Sequence, residues 1–252
     1  MGTHDSGSTL AAEPRRWHHA ATWLEDFSIL SWRVDPEAVA RTLPAGFEVE
    51  TWDGGAWASM VSFRDVDFHF RGMPLVKMTC GQVNYRTYVR RGDQRGVWFY
   101  GSSLDSRLVH IPRALWRMPW HRTKLTIERV PAPAGDRVTL VGTGGWGGAE
   151  LSMRSTGTPY PDPVGFDDPA EGRAVLLDPF HGWYRRLGSG RVGHYRVWHE
   201  PLALSQAEVD TAQCSVFTDL ALVTPGQLPD HAGEQQRVFF DVFTPPDVPA
   251  PR

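Results

Sequence analysis

Lysine is nearly absent from this chain: of 26 basic residues only Lys77 and Lys124 are lysines, the other 24 being arginines. Any amine that forms an imine with a carbonyl substrate must be one of these two. Cysteine is equally scarce. Cys80 and Cys214 cannot build a disulfide framework, neither has CxxC spacing, and each reads as a small buried hydrophobe. No apolar run approaches the roughly 18 residues that cross a bilayer. The first twenty residues carry Asp5, Glu13, Arg15 and Arg16 where a signal peptide has its apolar stretch. The expectation is a soluble, cytoplasmic protein without a membrane partner. A formal net charge of -3, with 29 acids scattered among the basic residues, gives no reason to expect nucleic acid.

Familiar catalytic motifs are missing too. There is no HExxH, no Walker loop, no GxSxG elbow and no dinucleotide fingerprint after a strand. His18, His19, His69, His181 and His199 lack ligand spacing, so neither a metal nor another cofactor is expected. The glycine-rich "GTGGWGG" at 142–148 lies between two β patterns with no helix after it, and reads as a turn or bulge.

What the chain does contain is alternation. Residues 1–20 and the Pro-rich end 246–252 read as loose segments flanking one domain over 21–245. Within it, "LEDFSILSWRV" predicts a strand, and Asp35-Pro36 predicts a helix N-cap with proline at N1. The runs "AWASMVSFRDVDFHF", "CGQVNYRTYVRR" and "GVWFYGSSL" continue as strands separated by Gly and Asp turns, and a helix is expected around 170–187. About nine strands and three short helices, with no βαβ rhythm and no repeat, predict an α+β, mostly antiparallel fold. A sheet of that length tends to close into a β-barrel, and medium barrels enclose ligand cavities.

The stretch at 80–91 bears on function. With a period of two, Cys80, Gln82, Asn84, Arg86 and Tyr88 share one face. In a barrel that face looks inward and offers a guanidinium fork, two amides and a phenol to an oxygen-rich small molecule. A solvated strand face is the alternative. Further on, Trp120, Arg122, Lys124 and Glu128 share a face with His121 opposite; His194, Arg196, Trp198 and Glu200 share another, opposite Tyr195, Val197 and His199. His199 has the acid–base range for proton transfer near neutral pH.

The blocks "WRVDPEAVARTLPAGFEVETWDGGAWASMVSF", "QVNYRTYV", "GVWFYGSSLDSRLV", "PRALWRMPWHRTKL" and "VWHEP" resemble the bacterial YqjF-like family of unknown function, within the acetoacetate decarboxylase-like superfamily. The resemblance runs from about residue 22 to residue 244 and implies a closed, cone-shaped barrel with a few flanking helices and an internal pocket. It also implies what is missing. The decarboxylase's imine-forming lysine follows a proline, and here Trp120 and His121 follow Pro119. Gln82 stands where a helping carboxylate is usual, Ser31 where a histidine is, and Ser103 where another acid is. Lys124 would have to act from a different place.

The expected function is an enzyme acting on a ketone, β-dicarbonyl or polyketide-like substrate, of lyase, isomerase or cyclase type, set in specialised metabolism such as antibiotic biosynthesis. Arg86 would anchor a carboxylate or enolate, Asn84 and Gln82 a carbonyl, and Tyr88 or His121 would relay a proton. Lys124, His199 and Glu200 complete the catalytic candidates, and Trp120, Trp198 and Ser103 the substrate contacts. The partner is a small molecule, with homo-oligomerisation compatible; the alternative is a non-catalytic barrel that binds a ligand through Arg86.

Overall fold

The structure is a computed structural model and describes residues 13–244. The segments expected to be loose fall outside it over 1–12 and 246–252; residues 13–19 lie against the sheet, where Arg15 meets Asp241 at 2.9 Å.

Strand β1 (Ala20–Val34) leads into α1 (Pro36–Ala40), whose start follows the sequence expectation. The Asp35 carboxylate accepts from the amides of Glu37 and Ala38, and Pro36 occupies a position that has no amide to satisfy. Then come β2 (Glu48–Val49), β3 (Ala56–Phe70), β4 (Met78–Arg91) and β5 (Gln94–Leu104), followed by α2 (His110–Trp116) and β6 (Trp120–Arg122). Next are β7 (Lys124–Val130), β8 (Arg137–Thr143), β9 (Ala149–Pro159) and α3 (Pro169–Leu176). The chain ends with β10 (His181–Arg185), β11 (Val192–Trp198), β12 (Ser205–Cys214), α4 (Ser215–Asp219) and β13 (His231–Phe243).

The fold is mostly antiparallel sheet with few helices. Antiparallel ladders join β1, β3, β4 and β5; β10 then lies parallel to β5 and antiparallel to β11; β11 pairs with β13, and β13 pairs back with β1. From β13 a branch of β12, β9, β8 and β7 extends as a second lobe. No helix among the described residues is long and apolar enough to cross a membrane.

One expectation is corrected. The helix anticipated over 170–187 stops at Leu176, and residues 181–185 are the strand β10. Pro179 lacks an amide hydrogen and disfavours helical geometry at Asp178, so the segment runs extended into the ladder beside β5.

Where the core sits explains which way β4 faces. The lobe packs on the outer face of β1, β3 and β4, so Trp32, Met60, Val83 and Tyr85 meet Leu140, Leu151, Met153 and Phe217. That covered face takes the apolar phase of β4. A second cluster, including Phe27, Phe63, Tyr88, Tyr160 and Leu176, packs on the opposite face. The glycine-rich loop 144–148 serves the first cluster: the Gly147 carbonyl accepts from Tyr85 Oη at 2.6 Å and Ser103 Oγ at 3.1 Å. Gly147 has φ +68°, and a Cβ there would stand 2.4 Å from Ser103 Oγ, so both backbone and space require glycine.

Candidate functional site

Opposite the lobe, a cavity of about 120 Å³ lies against the inner face of these strands. Gln82, Asn84 and Arg86 all line it, as their shared phase on β4 predicts. The ladder sets their neighbours: Ser59, Val61, Phe63 and Asp65 of β3 pair in turn with Arg86, Asn84, Gln82 and Cys80. Val61, Phe63 and Asp65 therefore line the same wall. Tyr195, Val197 and His199 contribute the phase of the β11 segment opposite to His194, Arg196 and Trp198.

Arg86 is held at one end. Its Nη2 donates to the Leu176 carbonyl at 2.9 Å, while its Nε is buried with no hydrogen-bond partner. Nearby, the Asn84 carbonyl oxygen accepts from Gln82 Nε2 at 2.7 Å and Ser102 Oγ at 2.6 Å. With its acceptor occupied twice, Asn84 keeps its amide hydrogens for other partners.

His199 is buried, stacked on Phe240 with ring centroids 4.3 Å apart, and its Nδ1 lies 2.8 Å from the Glu200 carbonyl. A carbonyl can only accept, so Nδ1 carries the proton and Nε2 is the basic atom. Burial, opposed by that bond and assisted by the Arg86 charge, brings the His199 pKa down to about 4. The ring is a neutral base at pH 7. Asp178, whose Oδ1 is buried without a hydrogen bond and lies 3.8 Å from His199 Nδ1, is pushed up to about 6 by burial. Burial also raises the Tyr195 phenol, against the opposing Arg86 charge. Toward the other end of β3, Asp65 is buried, accepts from Thr22 Oγ1 at 3.0 Å, and is raised by desolvation to about 7.

The sequence-selected residues divide cleanly. Gln82, Asn84, Arg86, Trp120 and His199 come together on the cavity. Tyr88 shares their face but is packed beneath, its Oη donating to the Leu176 carbonyl at 3.0 Å and sharing a 2.7 Å bond with Ser59 Oγ. The others lie elsewhere. His121 stacks on Trp146 at 3.9 Å, Ser103 is engaged with Gly147, and Trp198 lies under the Arg15 guanidinium at 5.3 Å. Lys124 and Glu200 are exposed and do not line the cavity. Asp65, Asp178 and Tyr195 are not among the site residues expected from the sequence. A signal existed for Asp65, since it continues the phase of Val61 and Phe63, where an acid is out of place.

Solved structures with this architecture share little sequence with the chain. The enduracididine biosynthesis enzyme MppR complexed with pyruvate superposes with a TM-score of 0.60 at 15% identity, over 88% of this chain and 86% of its own. An acetoacetate decarboxylase-like enzyme from Sphingomonas wittichii RW1 gives 0.60 at 13% identity, covering 97% and 98%. Acetoacetate decarboxylase from Legionella pneumophila gives 0.59 at 12%, covering 97% and 96%. At such identities the likeness establishes the fold, which is acetoacetate decarboxylase-like. In sequence, the uncharacterized protein YqjF of Bacillus subtilis (strain 168) is 27% identical over 116 residues, 45% of this chain, and the match spans about half of that relative's length, 48%. The DUF2071 model, described as an uncharacterized conserved protein (COG2071), matches residues 20–237, and the chain belongs to that family.

Proposed function

We propose that this protein is a small-molecule enzyme acting on an oxo acid, a β-dicarbonyl or a polyketide-like ketone by proton transfer, without an imine. In this reading the ring of strands acts as a closed, cone-shaped barrel and the cavity is its active site. One observation carries it: a half-buried guanidinium whose Nε is buried and unpaired and a neutral imidazole line one cavity in which no lysine takes part.

The chemistry follows from the side chains. Arg86 pairs with the substrate carboxylate or the oxygen that becomes an enolate, and the Asn84 amide donates to the neighbouring carbonyl. His199 Nε2 removes a proton from the carbon beside that carbonyl; the electron pair of the C–H bond moves onto the carbonyl oxygen as the enolate. Return of the proton to a different carbon gives an isomerase; attack of the enolate carbon on a second carbonyl, whose π pair moves to its oxygen and takes the proton back from His199, gives a cyclase. The pyruvate in the MppR structure supports an oxo acid as ligand class. Its role in enduracididine biosynthesis supports a setting in specialised metabolism, and we place the protein in the cytoplasm, where such substrates are made.

Proton NMR of pyruvate in D₂O tests this directly. Methyl protons should exchange for deuterium in the presence of the protein and not with His199→Gln. Pyruvate that binds without exchange would instead support a ligand-binding barrel anchored by Arg86. Absence of both binding and exchange, with pyruvate and with acetoacetate, would refute the proposal.

A further inference from the structure

The cavity has two polar regions, and the mechanism above uses one. Arg86 and Asp65 face the same hollow from neighbouring strands, Arg86 at the level of Ser59 and Asp65 six positions further along β3. Six positions correspond to roughly 20 Å of strand at about 3.3 Å per residue, shortened by the reach of the arginine. Between them the Asn84 and Gln82 amides stand on β4 at the levels of Val61 and Phe63, their mutual hydrogen bond occupying one amide hydrogen of Gln82, and the remaining wall is carbon: Leu24, Phe27, Val61, Phe63 and Phe240. A ligand whose carboxylate sits on Arg86 and whose oxo group sits on Asn84 then passes Gln82 and largely apolar walls before it reaches Asp65.

That group has an unusual setting. Asp65 is 5% exposed and has no ion-pair partner among the described residues; its one side-chain hydrogen bond comes from the Thr22 hydroxyl, at Oδ1. A buried, unpaired carboxylate is unfavourable, so below pH 7 the group is mainly the neutral acid, with Oδ1 accepting from Thr22 and Oδ2 left for the hydroxyl. The groups around it do not supply a counter-charge. Across the ladder from β4 stands the Cys80 thiol, itself raised by burial and by the Asp65 and Asp105 carboxyls, and from β1 comes only Thr22.

We propose that Asp65 is a distal specificity residue, donating from its carboxylic acid to an acceptor oxygen, a carbonyl or ether, at the far end of a linear oxo acid. The inference rests on the oxo-acid reading of Arg86 and narrows the substrate class. The preferred ligand is an extended chain with a carboxylate and oxo group at one end, an apolar middle and a second uncharged oxygen at the other. A bare oxo acid such as pyruvate fills only the Arg86 end.

Calorimetry with 2-oxononanoate, 2,8-dioxononanoate and pyruvate tests it, the first two differing only in the distal oxygen. The wild type should bind the dioxo acid about tenfold more tightly than the mono-oxo acid at pH 6, the equivalent of one hydrogen bond, and lose that preference by pH 8.5 as the donor proton leaves. Asp65→Asn, whose amide donates at every pH, should keep the preference at both values. Asp65→Leu should lose it at both. A purely structural Asp65 would leave the ratio of the two affinities unchanged in all three proteins. Pyruvate binding with no distal preference, or a preference that survives in Asp65→Leu, overturns the assignment to Asp65 alone. Failure of all three acids to bind overturns the oxo-acid reading beneath it.

Discussion

Arg86 and Tyr88, two residues apart on one face of β4, converge on a single acceptor: the Leu176 carbonyl receives Arg86 Nη2 at 2.9 Å and Tyr88 Oη at 3.0 Å. The last turn of α3 is thereby fastened to the strand that carries the site. A tethered guanidinium has less conformational freedom to lose when a ligand arrives.

Replacement of the arginine should therefore separate binding from folding. Arg86→Ala removes a charged donor to the ligand, and hydrogen bonds to charged groups contribute about 1.5–3 kcal/mol. Calorimetric affinity for pyruvate should fall about 10- to 100-fold. Tyr88→Phe leaves the guanidinium in place and should change affinity far less. An Arg86→Ala protein with affinity within twofold of wild type would show that the ligand lies elsewhere.

The lysines give a second expectation. Lys124 is exposed, and Lys77 is paired with Asp67 at 2.9 Å with half of its side chain in solvent. Desolvation is one way in which imine-forming lysines are activated, and both of these side chains stand in solvent. Incubation with acetoacetate or pyruvate and borohydride should leave the mass of both tryptic peptides unchanged. A reduced adduct on either would restore imine chemistry.

Asp65 makes stability depend on pH in a definite direction. Its folded pKa of about 7 exceeds the ordinary 3.8, so between these values the folded state holds the proton that the unfolded state has released. Stability from this group is complete below pH 3.8 and declines as pH rises through 7. Asp65→Asn removes the effect. Relative to wild type it should gain stability between pH 4 and pH 8, by at most about 4 kcal/mol at 1.36 kcal/mol per unit. Asp178, shifted the same way, and His199 and His121, shifted the opposite way, are present in both proteins and cancel in the difference. Urea unfolding at the two pH values measures it; a difference independent of pH would refute it.

A last expectation concerns the joint between ring and lobe. Arg129 of β7, its side chain 12% exposed, donates to Asp26 at 2.8 Å, Glu234 at 2.6 Å and Asp136 at 3.3 Å. Arg129→Ala leaves three carboxylates facing one another, two of them largely buried, and should destabilise by about 3–5 kcal/mol. Arg137→Ala breaks an exposed pair with Asp210 and should change stability by less than about 1 kcal/mol. Equal effects in urea unfolding would contradict the contrast.

The legible part of the site was the part written in strand alternation. Gln82, Asn84 and Arg86 share a phase, and a period of two places them together whatever the rest of the chain does. The direction they face was not in the stretch itself. It depends on the lobe that covers Val83 and Tyr85, which is built from residues 40 to 130 positions away. Asp178 was hidden for a similar reason. It lies in the connection "LLDPF", and only the insertion of β10 beside β5 carries it toward His199. Strand β12 is not legible in the sequence because its buried positions, Ala207, Ala212 and Cys214, are small and separated by polar residues, so no apolar alternation marks it. His121 and Tyr88 show the limit of residue type as a guide: both are apt for proton transfer, and the fold uses one as a stacking partner and the other as a clamp.

The lobe's sheet ends at β7, which pairs with β8 and has no second ladder partner among the described residues. An open margin of that kind is a template onto which a strand from another molecule can add. Along it Lys124, Thr126 and Glu128 project into solvent in succession, a cation, a hydroxyl and an anion. Such a row makes addition of a foreign strand unfavourable by burying unmatched charge. Lys124, one of only two amines in the chain, thus stands as a solvated charge on the margin where a foreign strand would add.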